Sequence, residues 1–80
     1  MPYHEFLWIP RAIEKVTDNG LSVEDVEFVV HQAFSEDVSR TSGRPIYLGE
    51  TSDGRVVCVV YDAVDEVLIS VVTAYVIAEG

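Results

Sequence analysis

The sequence contains a single cysteine and no cluster of cysteine and histidine, which excludes an internal disulfide and the usual kind of structural zinc site. Its 80 residues are enough for one domain, taken here as residues 1–80. A domain of this size buries only about 60–65% of its unfolded surface, so its stability is marginal. Self-association or a partner chain is therefore the expected supplement to the core.

Long apolar runs are also missing. No segment approaches the roughly 20 apolar residues that a bilayer-spanning helix needs. Residues 1–5 show no basic stretch leading into an apolar one, so no secretory signal is predicted. With one cysteine in addition, the sequence predicts a protein of the reducing cytoplasm.

Positive charge is scarce, because five lysines and arginines stand against 14 aspartates and glutamates, for a net charge of −9. Affinity for DNA or for an anionic membrane comes from cations that neutralise phosphates. We therefore expect no binding to DNA by this chain on its own and none to membranes. In the second half of the chain the only cations are three arginines, all within residues 40–55.

Two short helices are predicted in the N-terminal half, after a first strand at residues 3–9. Pro10 suits the first turn of the first helix, where its missing N–H costs nothing, and Gly20 ends that helix in a left-handed cap. Ser22, with Asp25 three residues later, is typical of a capping box that begins the second helix. That helix carries one apolar stripe, made of Val23, Val26, Val30, Ala33 and Phe34.

The rest of the chain is predicted to form antiparallel strands at residues 38–42, 46–50, 55–61 and 67–77. An Asp53-Gly54 turn closes the central hairpin. The last two strands are apolar on both faces, and two helices cannot cover both. Part of the second face is thus either wrapped by sheet curvature or buried against another chain. The fold class is α+β, with both helices on one face of a twisted antiparallel sheet.

The order of these elements resembles that of the RelE-like bacterial toxins. Several short sequence motifs resemble those of their BrnT-like branch. Trp8 and the string at residues 19–26 match that branch in order and spacing, as do Arg44, Gly49, Gly54-Arg55 and Ile69-Ser70. The resemblance implies a β-α-α-β-β-β fold and a type II toxin–antitoxin component that cleaves RNA without the ribosome. It implies a cognate antitoxin as partner. From the residues themselves we expect neither a cofactor nor a metal.

Such cleavage needs cations at the scissile phosphate and a group that moves a proton. The candidate catalytic residues are Arg44, Arg55 and His31, and the candidate RNA-binding residues are Arg40, Arg44, Arg55 and Tyr61. The alternative is a catalytically silent relative that serves as a protein-binding or dimerisation module. It is motivated by the acidic charge and by Asp18-Asn19, which stand where the branch has lysine and histidine.

Each candidate residue also has a purely structural interpretation. Judged by residue type alone, that interpretation is the favoured one. Arginines on an acidic surface commonly pair with carboxylates, here Asp37, Asp53 or Glu50. His31, and His4 near the terminus, would simply be solvated. Tyrosines in strands usually pack against neighbouring side chains, and this interpretation is the favoured one for Tyr47, Tyr61 and Tyr75. The acidic turn at residues 62–66 lacks the spacing of a calcium loop, and Cys58 is interpreted as a core thiol.

Overall fold

The structure, a computed structural model, describes residues 5–79. Its elements are β1 (Glu5–Leu7), α1 (Pro10–Asp18), α2 (Val23–His31), β2 (Ser35–Val38), β3 (Pro45–Glu50), β4 (Arg55–Ala63) and β5 (Leu68–Glu79). The strands form one five-stranded sheet in the order β1-β5-β4-β3-β2. The predicted α+β class is confirmed, with a strand and two helices ahead of a sheet built from hairpins.

The sheet is mixed rather than wholly antiparallel. β1 pairs in parallel with β5, with Phe6 opposite Ile69, whereas β2, β3, β4 and β5 pair in antiparallel fashion. The short edge strand lies at Ser35–Val38 and not at residues 38–42, because residues 39–44 form a loop. Pro45 opens β3, a position where the missing N–H does not interrupt a ladder.

The predicted end of α1 and the predicted start of α2 are confirmed by their hydrogen bonds, whereas α2 ends at His31, before Ala33 and Phe34 of the predicted stripe. The Leu21 amide donates to Val16 O at 2.9 Å and the Gly20 amide to Thr17 O at 3.0 Å, with Gly20 at φ +80°. This is the Schellman arrangement. The Asp25 amide donates to Ser22 Oγ at 3.0 Å, and the Ser22 amide donates to Asp25 Oδ2 at 3.1 Å. The short linker between the two helices therefore supplies both the C-terminal cap of α1 and the N-terminal cap of α2.

Both helices pack on one face of the sheet and enclose the core. The core joins helix and linker residues to side chains of β3, β4 and β5: Val16, Leu21, Val26, Val29, Val30, Tyr47, Val57, Val59, Tyr61, Ile69, Val71 and Ala74. Val26 and Val30 of the predicted stripe are buried, and so is Val29 beside them. Phe34, predicted on the same stripe, follows the end of α2 and is 62% exposed.

Helix α2 approaches the sheet closely at Gly49 in β3. A Cβ atom placed there would lie 2.7 Å from Val29 O and 3.1 Å from Ala33 Cα. Real Cβ atoms do not come this close to backbone, so α2 rests on a position that only glycine can supply. This contact fixes how near the C-terminal half of α2 lies to the β3–β4 hairpin.

The opposite face of the sheet, which we call the open face, carries neither helix. Its centre is nevertheless buried, with Cys58 3% and Val60 7% exposed. Cys58 lies in register between Leu48 of β3 and Tyr75 of β5. Further along β5, Ile77 is 52% exposed. The centre of the open face is therefore covered by the chain itself, while the end of β5 remains accessible.

Between Glu5 and Glu79, no helix has the length and apolar character to cross a membrane.

Candidate functional site

The loop between β2 and β3, residues 39–44, carries two of the candidate arginines. The Ser39 amide donates to Arg44 O at 2.7 Å and the Gly43 amide donates to Ser39 O at 2.8 Å, so the loop is closed on itself. Arg44 Nε donates to Asp62 Oδ1 at 3.1 Å and to Oδ2 at 3.3 Å, in an exposed ion pair. Arg40 is exposed and forms no ion pair with any residue between 5 and 79. The loop thus presents two cations to solvent.

Arg55 lies far from this loop. It begins β4, whereas Asp62, the partner of Arg44, is seven residues further along the same strand. At a rise of about 3.3 Å per residue, this separation is about 23 Å. Arg44 and Arg55 therefore do not converge on one phosphate group.

The Arg55 guanidinium ties three segments together. Its Nε donates to Asp53 Oδ1 at 3.1 Å, its Nη1 to Gly20 O at 3.0 Å, and its Nη2 to Asp25 Oδ2 at 3.5 Å. Hydrogen bonding to Asp53 is the main cause that raises the pKa of Arg55. The pKa of Asp53 is lowered, first by a hydrogen bond from the Thr51 hydroxyl and then by the one from Arg55. This clamp holds the interhelical linker against the β3–β4 turn.

Replacing Arg55 by methionine is expected to lower the Tm. Methionine keeps much of the apolar stem but removes one hydrogen-bond donor from the Gly20 carbonyl and one from each of two carboxylates. Hydrogen exchange at the amides of residues 20–22 should quicken, because the linker loses its tie to the hairpin. Arg40→Met is the matched control and should leave both the Tm and the exchange rates unchanged. Equal behaviour of the two variants would contradict the clamp.

His31 ends α2 and is exposed, with its ring 5.7 Å from the ring of Phe6 at an interplanar angle of 73°. Glu27, one turn earlier, accepts a hydrogen bond from Trp8 Nε1 at 2.9 Å. These contacts attach β1 to α2. Leu7, next to Phe6, is in register with Ser70, which pairs with Asp62. His31 and the Arg44–Asp62 pair therefore lie at the same end of the sheet, on opposite faces.

Tyr61 lies in the core beneath the helices and is 4% exposed. Its ring stacks on that of Tyr47, with centroids 4.7 Å apart and planes 11° from parallel. Burial, with hydrogen bonding to Tyr61 and Glu36, raises the pKa of Tyr47 well above its ordinary value. Tyr75 is on the open face, and hydrogen bonding to Cys58 raises its pKa. Among these three strand tyrosines, Tyr75 is thus the one that is accessible to solvent.

The acidic turn holds itself together through its own backbone. Asp65 Oδ1 accepts hydrogen bonds from the amides of Val67 at 2.8 Å and Leu68 at 2.9 Å, while Asp62 is engaged by Arg44. Within the part of the chain that the structure describes, no three acidic, cysteine or histidine side chains are grouped as metal ligands. His4 lies outside the described residues.

Sequence reasoning missed a groove between the end of α2 and the β3–β4 hairpin, with a volume of about 350 Å³. Phe28 and Phe34 stand on its walls, and both are exposed. The sequence contains a pattern that indicates this groove, because Phe28 and Gln32 are one helical turn apart and lie off the apolar stripe of α2.

Two helices on one face of this five-stranded mixed sheet, joined in this order, define the BrnT-like α+β fold. The 1.1 Å crystal structure of the Brucella abortus ribonuclease toxin BrnT is similar to this chain with a TM-score of 0.70. The similarity covers 94% of this chain and 97% of that chain, at 19% sequence identity. The fold implied by the sequence resemblance is therefore confirmed. No protein-family model matches the sequence, and neither does any curated protein.

Proposed function

We propose that this chain is a BrnT-like toxin-family protein of the cytoplasm that acts on RNA as one half of a type II toxin–antitoxin pair. The observation that carries the proposal is the fold, which is similar to that of a ribonuclease toxin over nearly the full length of both chains. The ordered positions shared with the BrnT-like branch support it independently. A cognate antitoxin is then the expected protein partner.

The loop at residues 39–44 is the best candidate for contact with the RNA backbone. Arg40 is open to solvent, and the Arg44–Asp62 pair is exposed on both sides. Exposed ion pairs contribute only about 0.2–1 kcal/mol, so a phosphate can replace Asp62 at small cost. The planar guanidinium then binds phosphate oxygens in bidentate fashion. His31 lies at the same end of the sheet but on the opposite face, so no proton transfer beside this phosphate is assigned to it.

The test uses full-length chain that has been purified free of other proteins and incubated with a labelled single-stranded RNA. The proposal predicts cleavage, together with growth arrest when the chain is expressed alone. The double variant Arg40→Ala plus Arg44→Ala should cleave at least about a hundredfold more slowly, since each donor to the reacting phosphate contributes roughly that much. Arg11→Ala plus Lys15→Ala removes the same charge from α1 and is the matched control. Absence of cleavage and arrest in the parent chain would refute the proposal.

A second candidate, the catalytically silent binding or dimerisation module, is favoured by one observation. Arg44 and Arg55 are both engaged by carboxylates, while Tyr75, Ile77 and Leu7 are left exposed on the side of the sheet without helices. Self-association through the open face should appear as a concentration-dependent sedimentation coefficient that Ile77→Ser reduces. A monomer at all concentrations that also recruits no partner chain would count against this candidate.

A further inference from the structure

The groove between α2 and the β3–β4 hairpin is used by neither of these functions. Its lining includes Phe28, Gln32, Phe34, Glu50, Thr51 and Ser52. Phe28 is 41% exposed and Phe34 is 62% exposed, so two aromatic rings face solvent around one depression. Paired exposed aromatics in a concave setting are typical of surfaces that anchor an apolar side chain of a partner.

The groove is held in place by the fold around it. The close approach of α2 to Gly49 sets the distance between its walls. The Phe34 amide donates to Leu48 O at 2.9 Å, which ties the backbone of that wall to β3. Thr51 is 4% exposed, and its amide donates to Arg55 O at 2.8 Å. A site that is already ordered loses less conformational entropy when a ligand binds.

The charges around the groove are acidic. Glu50 lines it, and Glu24 lies one turn before Phe28 on the same side of α2. Glu36 and Asp37 follow Phe34 along the exposed edge strand β2. None of the described residues that line the groove is lysine or arginine. The neighbouring Arg55 is already engaged by two carboxylates.

We propose that this groove binds a basic peptide segment of a partner protein, in which a bulky apolar side chain is flanked by lysines or arginines. The apolar side chain would pack between Phe28 and Phe34, with an arginine able to stack on either ring. The flanking cations would meet Glu50 and Glu24, and this complementary charge would speed and orient the encounter. RNA is excluded as the occupant, because its phosphates would meet these carboxylates.

Three synthetic dodecapeptides with a fluorescent label separate the contribution of positive charge to binding from that of the apolar side chains. The first has two leucines among lysines and glycines, the second has glutamate in place of lysine, and the third has glycine in place of leucine. The first should bind the full-length chain at low salt, and the other two should bind at least about tenfold more weakly. Backbone amide shifts should concentrate at residues 28–34 and 50–54.

Variants locate the site on the protein. Phe28→Ser and Phe34→Ser should each weaken the lysine–leucine peptide at least about fivefold, and Glu50→Gln should reduce the salt dependence of its binding. Val64→Ser is the matched control, since Val64 is an apolar side chain of similar exposure at 52% and follows the end of β4 that lies away from the hairpin. The Tm of each variant shows that the fold is retained.

Several results would overturn the proposal. These are equal binding of the glutamate peptide, an equal loss on Val64→Ser, amide shifts outside the groove, or displacement of the peptide by an RNA oligonucleotide. The inference stands apart from RNA cleavage, because Arg40→Ala plus Arg44→Ala should slow cleavage at least about a hundredfold and leave peptide binding intact. Failure of the cleavage proposal and failure of the docking proposal are thus distinguishable.

Discussion

Gly49→Ala is expected to lower the free energy of unfolding by about 3 kcal/mol, the upper end of the usual range for overpacking. The added methyl would lie 2.7 Å from the Val29 carbonyl oxygen, and that oxygen cannot move unless α2 moves with it. For a chain of 80 residues the total stability is about 4–12 kcal/mol, so the loss is a large share of it. Urea unfolding followed by circular dichroism measures the change.

Gly43→Ala is the matched control for this prediction. Gly43 has φ +72° but no heavy atom within 4 Å of its added Cβ, so it carries only the conformational cost of the left-handed backbone. That cost is about 1–2 kcal/mol. If Gly49→Ala were no more destabilising than Gly43→Ala, the steric account of the helix–sheet contact would be wrong. Gly49→Ala should also weaken peptide binding in the groove, because the helix forms one of its walls.

Tyr61→Ala is expected to lower the free energy of unfolding by about 3–5 kcal/mol, a large share of the total stability. The ring is buried and stacked on Tyr47 below the helices, so its removal leaves a cavity in the centre of the core. Tyr61→Phe keeps the stack and separates the contribution of the ring from that of the hydroxyl. Chemical unfolding of both variants provides the measurement.

Tyr75→Ala is the corresponding control, since Tyr75 is 42% exposed and should cost far less stability. The same pair of variants tests the role in RNA binding that the sequence predicts for Tyr61. A folded Tyr61→Ala protein that has lost RNA binding would support base stacking by this residue. Loss of RNA binding only in parallel with unfolding would leave Tyr61 as a core residue.

The features that were predicted well from the sequence are those set by interactions between residues close together in the chain. Gly20 ends α1 and Ser22 with Asp25 begins α2 in the way their side chains dictate, and the hydrogen bonds match. Such caps depend on residues within five positions of one another, so no tertiary information is needed. The hairpin turn at Asp53-Gly54 belongs to the same group, with Gly54 at φ +91°.

Elements set by long-range pairing were harder to predict. The apolar pattern of β1 indicates a strand but is silent on its direction, so its parallel pairing with β5 was not foreseen. β2 was placed too late in the chain because Ser35–Val38 is acidic and polar. That composition suits an exposed edge strand, where charge discourages pairing with other chains. An edge strand of this kind therefore looks like a linker in the sequence.

The candidate site depended on distances that the sequence does not contain. The register of the β3–β4 hairpin and the length of β4 decide that Arg44 and Arg55 lie at opposite ends of the sheet. The partners of Arg55 were only partly foreseen, since Asp53 is adjacent in sequence while Gly20 is 35 residues away. Residue type was the better guide for Tyr47 and Tyr61, whose packing in a strand was the favoured interpretation.

The position of β5 between β1 and β4 has a consequence for the order of folding. β1 is an edge strand whose neighbour in the sheet is β5, and Glu5 meets Leu68, about sixty residues away along the chain. The earliest described strand thus has to wait for the latest one to be synthesised and docked on β4. Closing so long a loop slows folding relative to topologies whose contacts are local. Throughout synthesis, the backbone of β1 and the apolar surface of Phe6 would remain uncovered until the end.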